Sequence, residues 1–124
     1  MTKERITLGK RGEDLAVLYL KEQGIDVKIQ NYRQKTGEID IIAQDGDCLV
    51  FVEVKTRKNL AFGLPFEAVT RKKQAQLTRV AMDYISRNKI SQQAIRFDVI
   101  SVLMIHGRKP QIEHLTNCFE AVPW

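Results

Sequence analysis

EIDIIAQDGDCLVFVEVKTR, residues 38–57, is the stretch on which the fold turns. Two apolar-rich runs, EIDIIAQ (38–44) and CLVFVEVKTR (48–57), flank Asp45-Gly46. An Asp-Gly between two such runs marks a β-hairpin. Side chains alternate across a strand, so Phe51, Glu53 and Lys55 share one face and Val50, Val52 and Val54 the other. An ordinary two-sided strand puts charge on its wet face and does no chemistry there. The neighbours of Glu53 separate that reading from a site. With Asp45 and Gly46 as the loop residues, Gln44 faces Asp47, Asp40 faces Phe51 and Glu38 faces Glu53. Asp40 then joins the Glu53–Lys55 face as a diagonal neighbour of Glu53, roughly 6–8 Å away at Cβ. A slip of one residue would send Asp40 to the opposite face.

Two carboxylates ~6 Å apart repel by about 3 kcal/mol at an effective dielectric of ~20. A divalent cation reverses the sign of that interaction, and Mg2+ favours one or two carboxylates together with water and phosphate oxygens. Lys55, on the same face, is suited to an attacking water or to charge developing on a phosphate. The plainer alternative is that Lys55 neutralises Glu53 in a surface pair worth under ~1 kcal/mol. Glu13 adds a further acid. It lies four residues after Gly9 and three before Ala16, on a line of small residues along a first helix. From there it can project over the sheet edge, although most helix glutamates are simply solvated.

Working outward, Thr7 is a candidate cap for a helix over 8–23 that stops before Gly24. Its expected core face is Leu8, Leu15, Leu18 and Tyr19, with Gly12 and Ala16 permitting close approach. VKIQNYR (27–33) reads as a strand, NLAFGLP (59–65) as a loop, and 66–88 as a long helix striped by Val69, Leu77, Val80, Ala81, Tyr84 and Ile85. AIRFDVISVLMI (94–105) is apolar enough to be a central strand, Gly107–Pro110 a turn and QIEHLTNCF (111–119) a last strand. The order α-β-β-β-α-β-β predicts an α/β fold, one mixed sheet flanked by helices, as a single domain over 1–124.

The 124 residues are 44% hydrophobic and 28% charged, a globular composition. No run reaches the ~18 apolar residues of a membrane span, and MTKERITLGKRGED has no apolar core of a secretion signal. Cys48 and Cys118 form no CxxC, which points to free thiols in a reducing cytoplasm. The net charge of +5 is matched by residues 55–73 alone, where Lys55, Arg57, Lys58, Arg71, Lys72 and Lys73 oppose only Glu67. A localised basic patch suits a polyanion such as nucleic acid; a solvated helix face is the alternative. No amphipathic anchor accompanies it, so a membrane partner is not expected.

Together, GKRGEDLA (9–16), NYRQKTGEIDII (31–42), FVEVKTR (51–57) and RFDVISV (96–102) resemble the PD-(D/E)xK nuclease superfamily, and within it the YraN-like bacterial branch, similar to archaeal Holliday-junction resolvases. The resemblance runs nearly end to end, with Ile39 standing where the motif has proline. It implies a restriction-endonuclease-like core and metal-dependent phosphodiester hydrolysis of DNA, including branched repair intermediates. By position, Asp40 and Glu53 would hold Mg2+ or Mn2+, Lys55 would assist the water or the transition state, and Glu13 would be the additional acid at the same metal. Junction cutting needs two paired sites, so that substrate would imply a homodimer. A non-catalytic nucleic-acid-binding module on the same scaffold is the rival class.

Arg57, Lys58, Arg71 and Lys72 are candidate phosphate contacts. Lys73, between Val69 and Leu77 on the apolar stripe, either joins them near the site or packs with its head in water. Gln74 reads as a substrate contact or a solvated side chain, and Phe62-Gly63 as a mobile cover or as packing. His106 and His114 lack zinc-ligand spacing and read as structural. Asp98 is the lone acid of its strand, expected to salt-bridge within the sheet.

Overall fold

Apolar residues on both faces of the central strands require cover on both sides, and one helix covers each. The computed structural model describes residues 3–59 and 69–121. The elements are α1 (Lys3–Glu22), β1 (Asp26–Gln34), β2 (Gly37–Asp45), β3 (Cys48–Arg57), α2 (Arg71–Arg87), β4 (Ala94–Leu103) and β5 (Gln111–Phe119). The five strands form one sheet in the order β1-β2-β3-β4-β5. All neighbours are antiparallel except β3 and β4, which run parallel across the crossover that carries α2. The expected mixed α/β architecture is therefore the one found.

Ala16, Val17 and Leu20 of α1 pack with Ile41, Val50, Val52 and Ile100 on one face. Leu77, Val80, Ala81 and Tyr84 of α2 pack with Ile42, Phe51, Phe97 and Val99 on the other. The buried stripe of α1 is thus Gly12, Ala16 and Leu20, and the expected core residue Leu18 is 54% exposed. Thr7 is no cap either. It lies inside α1, where its hydroxyl donates to the Lys3 carbonyl at 3.0 Å, a bond that threonine readily makes within helices. Gly24 does end the helix region, at φ +80°, with Ile25 N–H donating back to the Leu20 carbonyl.

The start of α2 differs from expectation because Thr70 caps it, its side chain accepting from Lys73 N–H at 3.2 Å. Val69 precedes the helix and is buried. Residues 66–68 and the Phe62-Gly63 loop lie outside the described residues. β4 ends at Leu103, two residues early.

Gly12 holds α1 close to β3. A Cβ there would collide with the Thr56 side chain. Alanine would gain about 1 kcal/mol of helix propensity, but the β-branched Thr56 has little rotamer freedom with which to give way. Gly12→Ala is expected to lower stability by about 1–2 kcal/mol net. A lower denaturant midpoint at unchanged slope would show it.

Candidate active site

The hairpin register differs from the expected one by two positions. Asp45 pairs with Cys48, Ile42 with Phe51 and Ile41 with Val52, so Gly46 and Asp47 are the loop residues. Gly46 has φ +57° and Asp47 is not in the positive-φ region, the pattern of a type II′ turn with glycine first. Glu38 consequently does not face Glu53; it pairs with Arg33 on β1. A shift of two preserves which face each side chain takes, so the same count brings Asp40 level with Glu53 instead of diagonal to it.

The ladder between β2 and β3 stops at that level. β2 remains paired with β1 to Gly37, and β3 remains paired with β4 to Arg57, but β2 and β3 part beyond Ile41 and Val52. The two central strands form a fork, and Asp40 stands at its crotch. Its Oδ2 accepts from Val54 N–H at 2.8 Å, so a side chain takes the place of a ladder bond. The face alternation of β2 also breaks there. Ile39 packs on the α2 side, whereas Ile41, two residues on, packs on the α1 side.

Both helices reach the fork. Glu53 is 8% exposed. Lys55 Nζ lies 3.6 Å from its Oε1, and Lys73 Nζ, from the first turns of α2, lies 3.9 Å from its Oε2. Lys73 therefore points into the site. From the other side, Glu13 of α1 lines an open cavity of about 490 Å³ together with Asp40, Val54, Arg57 and Lys58. Asn31 ties this side down. With its amide nitrogen turned toward the acids, it donates to Glu13 Oε1 at 2.8 Å and Glu38 Oε1 at 3.1 Å.

The electrostatics are unfavourable for the acids alone. Burial and then the Asp40 carboxylate raise the pKa of Glu53 to about 7, against the pull of Lys73 and Lys55. Burial also raises Asp40, opposed by the Val54 N–H bond, and Glu13 is raised by burial and then by Asp40 and Glu38. Glu53 Oε2 is buried and accepts no hydrogen bond among the described residues. An orphaned carboxylate oxygen in a native interior calls for an ion or water to complete it. Among the described residues no three His, Cys, Asp or Glu side chains gather into a ligand cluster. A fit is thus possible for Mg2+ or Mn2+, which take one or two carboxylates and retain water, and poor for zinc or calcium, which want fuller protein shells.

Of the remaining candidates, Arg57 and Lys58 line the same cavity, while Arg71 and Lys72 are exposed on the first turn of α2. Gln74 donates to the Val69 carbonyl at 3.0 Å, tying the segment before α2 to the helix. Asp98 and His114 belong to a separate buried network, paired with each other at 2.7 Å. Asn31 is the residue that sequence reasoning missed. Its signal was available: a tight turn pairing Gln34 with Gly37 counts Asn31 across from Asp40, and asparagine tolerates the φ of +54° found there.

A mixed five-stranded α/β sheet, forked between its central strands around an Asp, a Glu and two Lys, defines the class of protein. The chain belongs to the uncharacterised protein family UPF0102, whose model matches residues 12–102. A UPF0102 protein of Geotalea daltonii is 49% identical over 114 residues, covering 92% of this chain and 90% of its own length. One from Rhodococcus opacus is 45% identical over 114 residues, covering 92% and 97%. One from Dictyoglomus thermophilum is 45% identical over 113 residues, covering 90% and 96%. The matched segment contains Glu13, Asn31, Asp40, Glu53, Lys55 and Lys73.

Proposed function

We propose that the chain is a divalent-metal-dependent nuclease of the PD-(D/E)xK superfamily that hydrolyses phosphodiester bonds in DNA. The observation that carries this reading is the buried, unbonded Glu53 Oε2 beside Asp40 at the mouth of the fork. Asp40 and Glu53 would hold Mg2+ or Mn2+, with Glu13 a further acid beside Asp40. When bound, the ion supplies the positive charge that neutralises the carboxylates and polarises a phosphate oxygen.

The chain's own groups do the rest. Val54 N–H fixes one oxygen of Asp40, and the other would take the ion. Lys55 orients the attacking water and stabilises negative charge on the phosphate oxygens as the new P–O bond forms and the leaving P–O bond breaks. The water's proton passes to solvent, and the leaving oxygen takes one in return. Lys73 lies near enough to Glu53 to hold a second phosphate oxygen. Arg57 and Lys58 extend the contact along the backbone, and Arg71 and Lys72 add position without sequence readout.

Cleavage of a labelled panel tests this: four-way junction, flap, single-stranded and duplex DNA, with Mg2+, Mn2+ or EDTA. Metal-dependent cutting is expected, reduced about 100-fold in Lys55→Ala. A wild type that binds every substrate and cuts none, with Asp40→Ala binding equally well, would instead favour a non-catalytic binding module.

A further inference from the structure

A groove of about 1140 Å³ adjoins the fork and shares Leu8 and Lys58 with the cavity below Asp40. Lys3, Arg11, Lys58 and Arg108 line it, with His106 beside them, and none of its described lining residues is acidic. These cations come from α1, the end of β3 and the β4–β5 turn, so net charge counted along the chain conceals the cluster. Its lining also includes Leu8, Met104, Ile105 and Pro110. Met104 N–H donates to the Arg57 carbonyl at 2.7 Å, fixing the groove to the end of the strand that carries Glu53 and Lys55.

A cationic groove with apolar lining suits one form of nucleic acid better than another. Duplex DNA presents phosphates and sugars outward and keeps its base faces stacked inside. An unpaired strand offers phosphates and base faces together. We infer that this groove holds an unpaired nucleic-acid strand leaving the fork, its phosphates toward Arg11, Lys58 and Arg108 and its bases toward Leu8, Met104, Ile105 and Pro110. The substrate would then be DNA with a single-stranded arm next to the bond that is cut. The inference rests on the nuclease reading for the course of the strand, but the binding itself is measurable without cleavage.

The test is fluorescence anisotropy in EDTA with a labelled single-stranded oligonucleotide and the matching duplex. It compares the wild type with the double variant Arg11→Glu/Arg108→Glu, and with Arg79→Glu on α2 as a charge control. The double variant is expected to weaken single-strand binding at least ~10-fold and duplex binding less than ~3-fold. Its salt slope should be shallower by about 1.4 for two lost phosphate contacts. Arg11→Ala and Arg108→Ala, made singly, should each give part of that loss if the double variant folds poorly. Unchanged binding, equal weakening of duplex and single strand, or an equal effect from Arg79→Glu would overturn the inference. A wild type that never cuts, combined with selective loss of single-strand binding, would remove the nuclease and leave the groove standing. Normal cutting with unaltered single-strand binding would do the reverse.

Discussion

Glu53→Gln is expected to stabilise the metal-free protein while abolishing cleavage. Glu53 has a folded-state pKa of about 7 against an ordinary 4.5, raised first by burial and then by Asp40. The folded state therefore binds this proton more tightly than the unfolded chain. That contribution is fully present below about pH 4.5 and is lost as pH rises through 7. At pH 8 the wild type holds an ionised buried carboxylate, which glutamine avoids. The difference amounts to at most about 3 kcal/mol, at roughly 1.4 kcal/mol per pH unit of displacement. Asp40 and Glu13 are raised in the same direction and add to the trend. Melting in EDTA should show a higher Tm for Glu53→Gln at pH 8 and little difference at pH 4. Millimolar Mg2+ should raise the wild-type Tm and leave the variant unmoved. Cleavage should fall at least ~1000-fold, which corresponds to about 4 kcal/mol of lost transition-state stabilisation. A variant less stable than wild type at pH 8 would mean that the lysine pairs outweigh the burial of the charge.

Asp98→Ala is expected to act in the opposite way, on the fold and not on the chemistry. The Asp98 side chain is fully buried and accepts from Arg96 Nε at 3.0 and 3.1 Å, from Asn117 N–H at 2.9 Å and from His114 Nε2 at 2.7 Å. Arg96 continues to Asp45 at 2.9 Å, and His114 Nδ1 continues to the Tyr19 hydroxyl at 3.2 Å. The network thus joins α1, the β2–β3 hairpin, β4 and β5. Burial alone would raise the Asp98 carboxyl, but the bonds from His114, Arg96 and Asn117 hold it below the usual range. Its contribution is present above the ordinary carboxylate pKa and is lost as pH falls through the lowered one. Truncation leaves Arg96 and His114 without their central acceptor and should cost about 3–5 kcal/mol. Denaturant unfolding at pH 7 should show a loss of that size. Cleavage by the fraction still folded should remain near wild type, because none of these hydrogen bonds involves Asp40 or Glu53. A loss under ~1 kcal/mol would show that the network is incidental.

Much of this architecture is legible in the sequence because it is periodic. Alternation named the strands of the hairpin, the 3.6-residue stripe named α2, and Gly24 and Gly107 marked turns. What failed depended on single local choices. Asp45-Gly46 carries the hairpin signal whether both residues form the loop or only Gly46 does, and only the type II′ preference for glycine first shifts the pairing by two. The even shift brought Asp40 level with Glu53, although the alternation of β2 breaks at the fork itself. Thr7 looks like a cap because threonine favours caps, yet the same hydroxyl bonds equally well to the carbonyl four residues back. Leu18 follows the apolar pattern of α1, but the small Gly12 and Ala16 rotate the helix so that its close-packed line faces the sheet. The fork itself has no sequence periodicity. It arises where a carboxylate intercepts a strand N–H, and its third dimension is what joins Glu13, Asn31 and Lys73 to it.

The measurement that bears most directly on the fork as a metal seat is a titration of Mn2+ into the chain, followed by the paramagnetic resonance of the free ion. The wild type is expected to take up Mn2+ at a site whose affinity falls at least ~10-fold in both Asp40→Asn and Glu53→Gln, with Mg2+ competing for it. No uptake by the wild type, or equal uptake by both variants, would contradict it and leave Glu53 as a buried acid neutralised by Lys55 and Lys73.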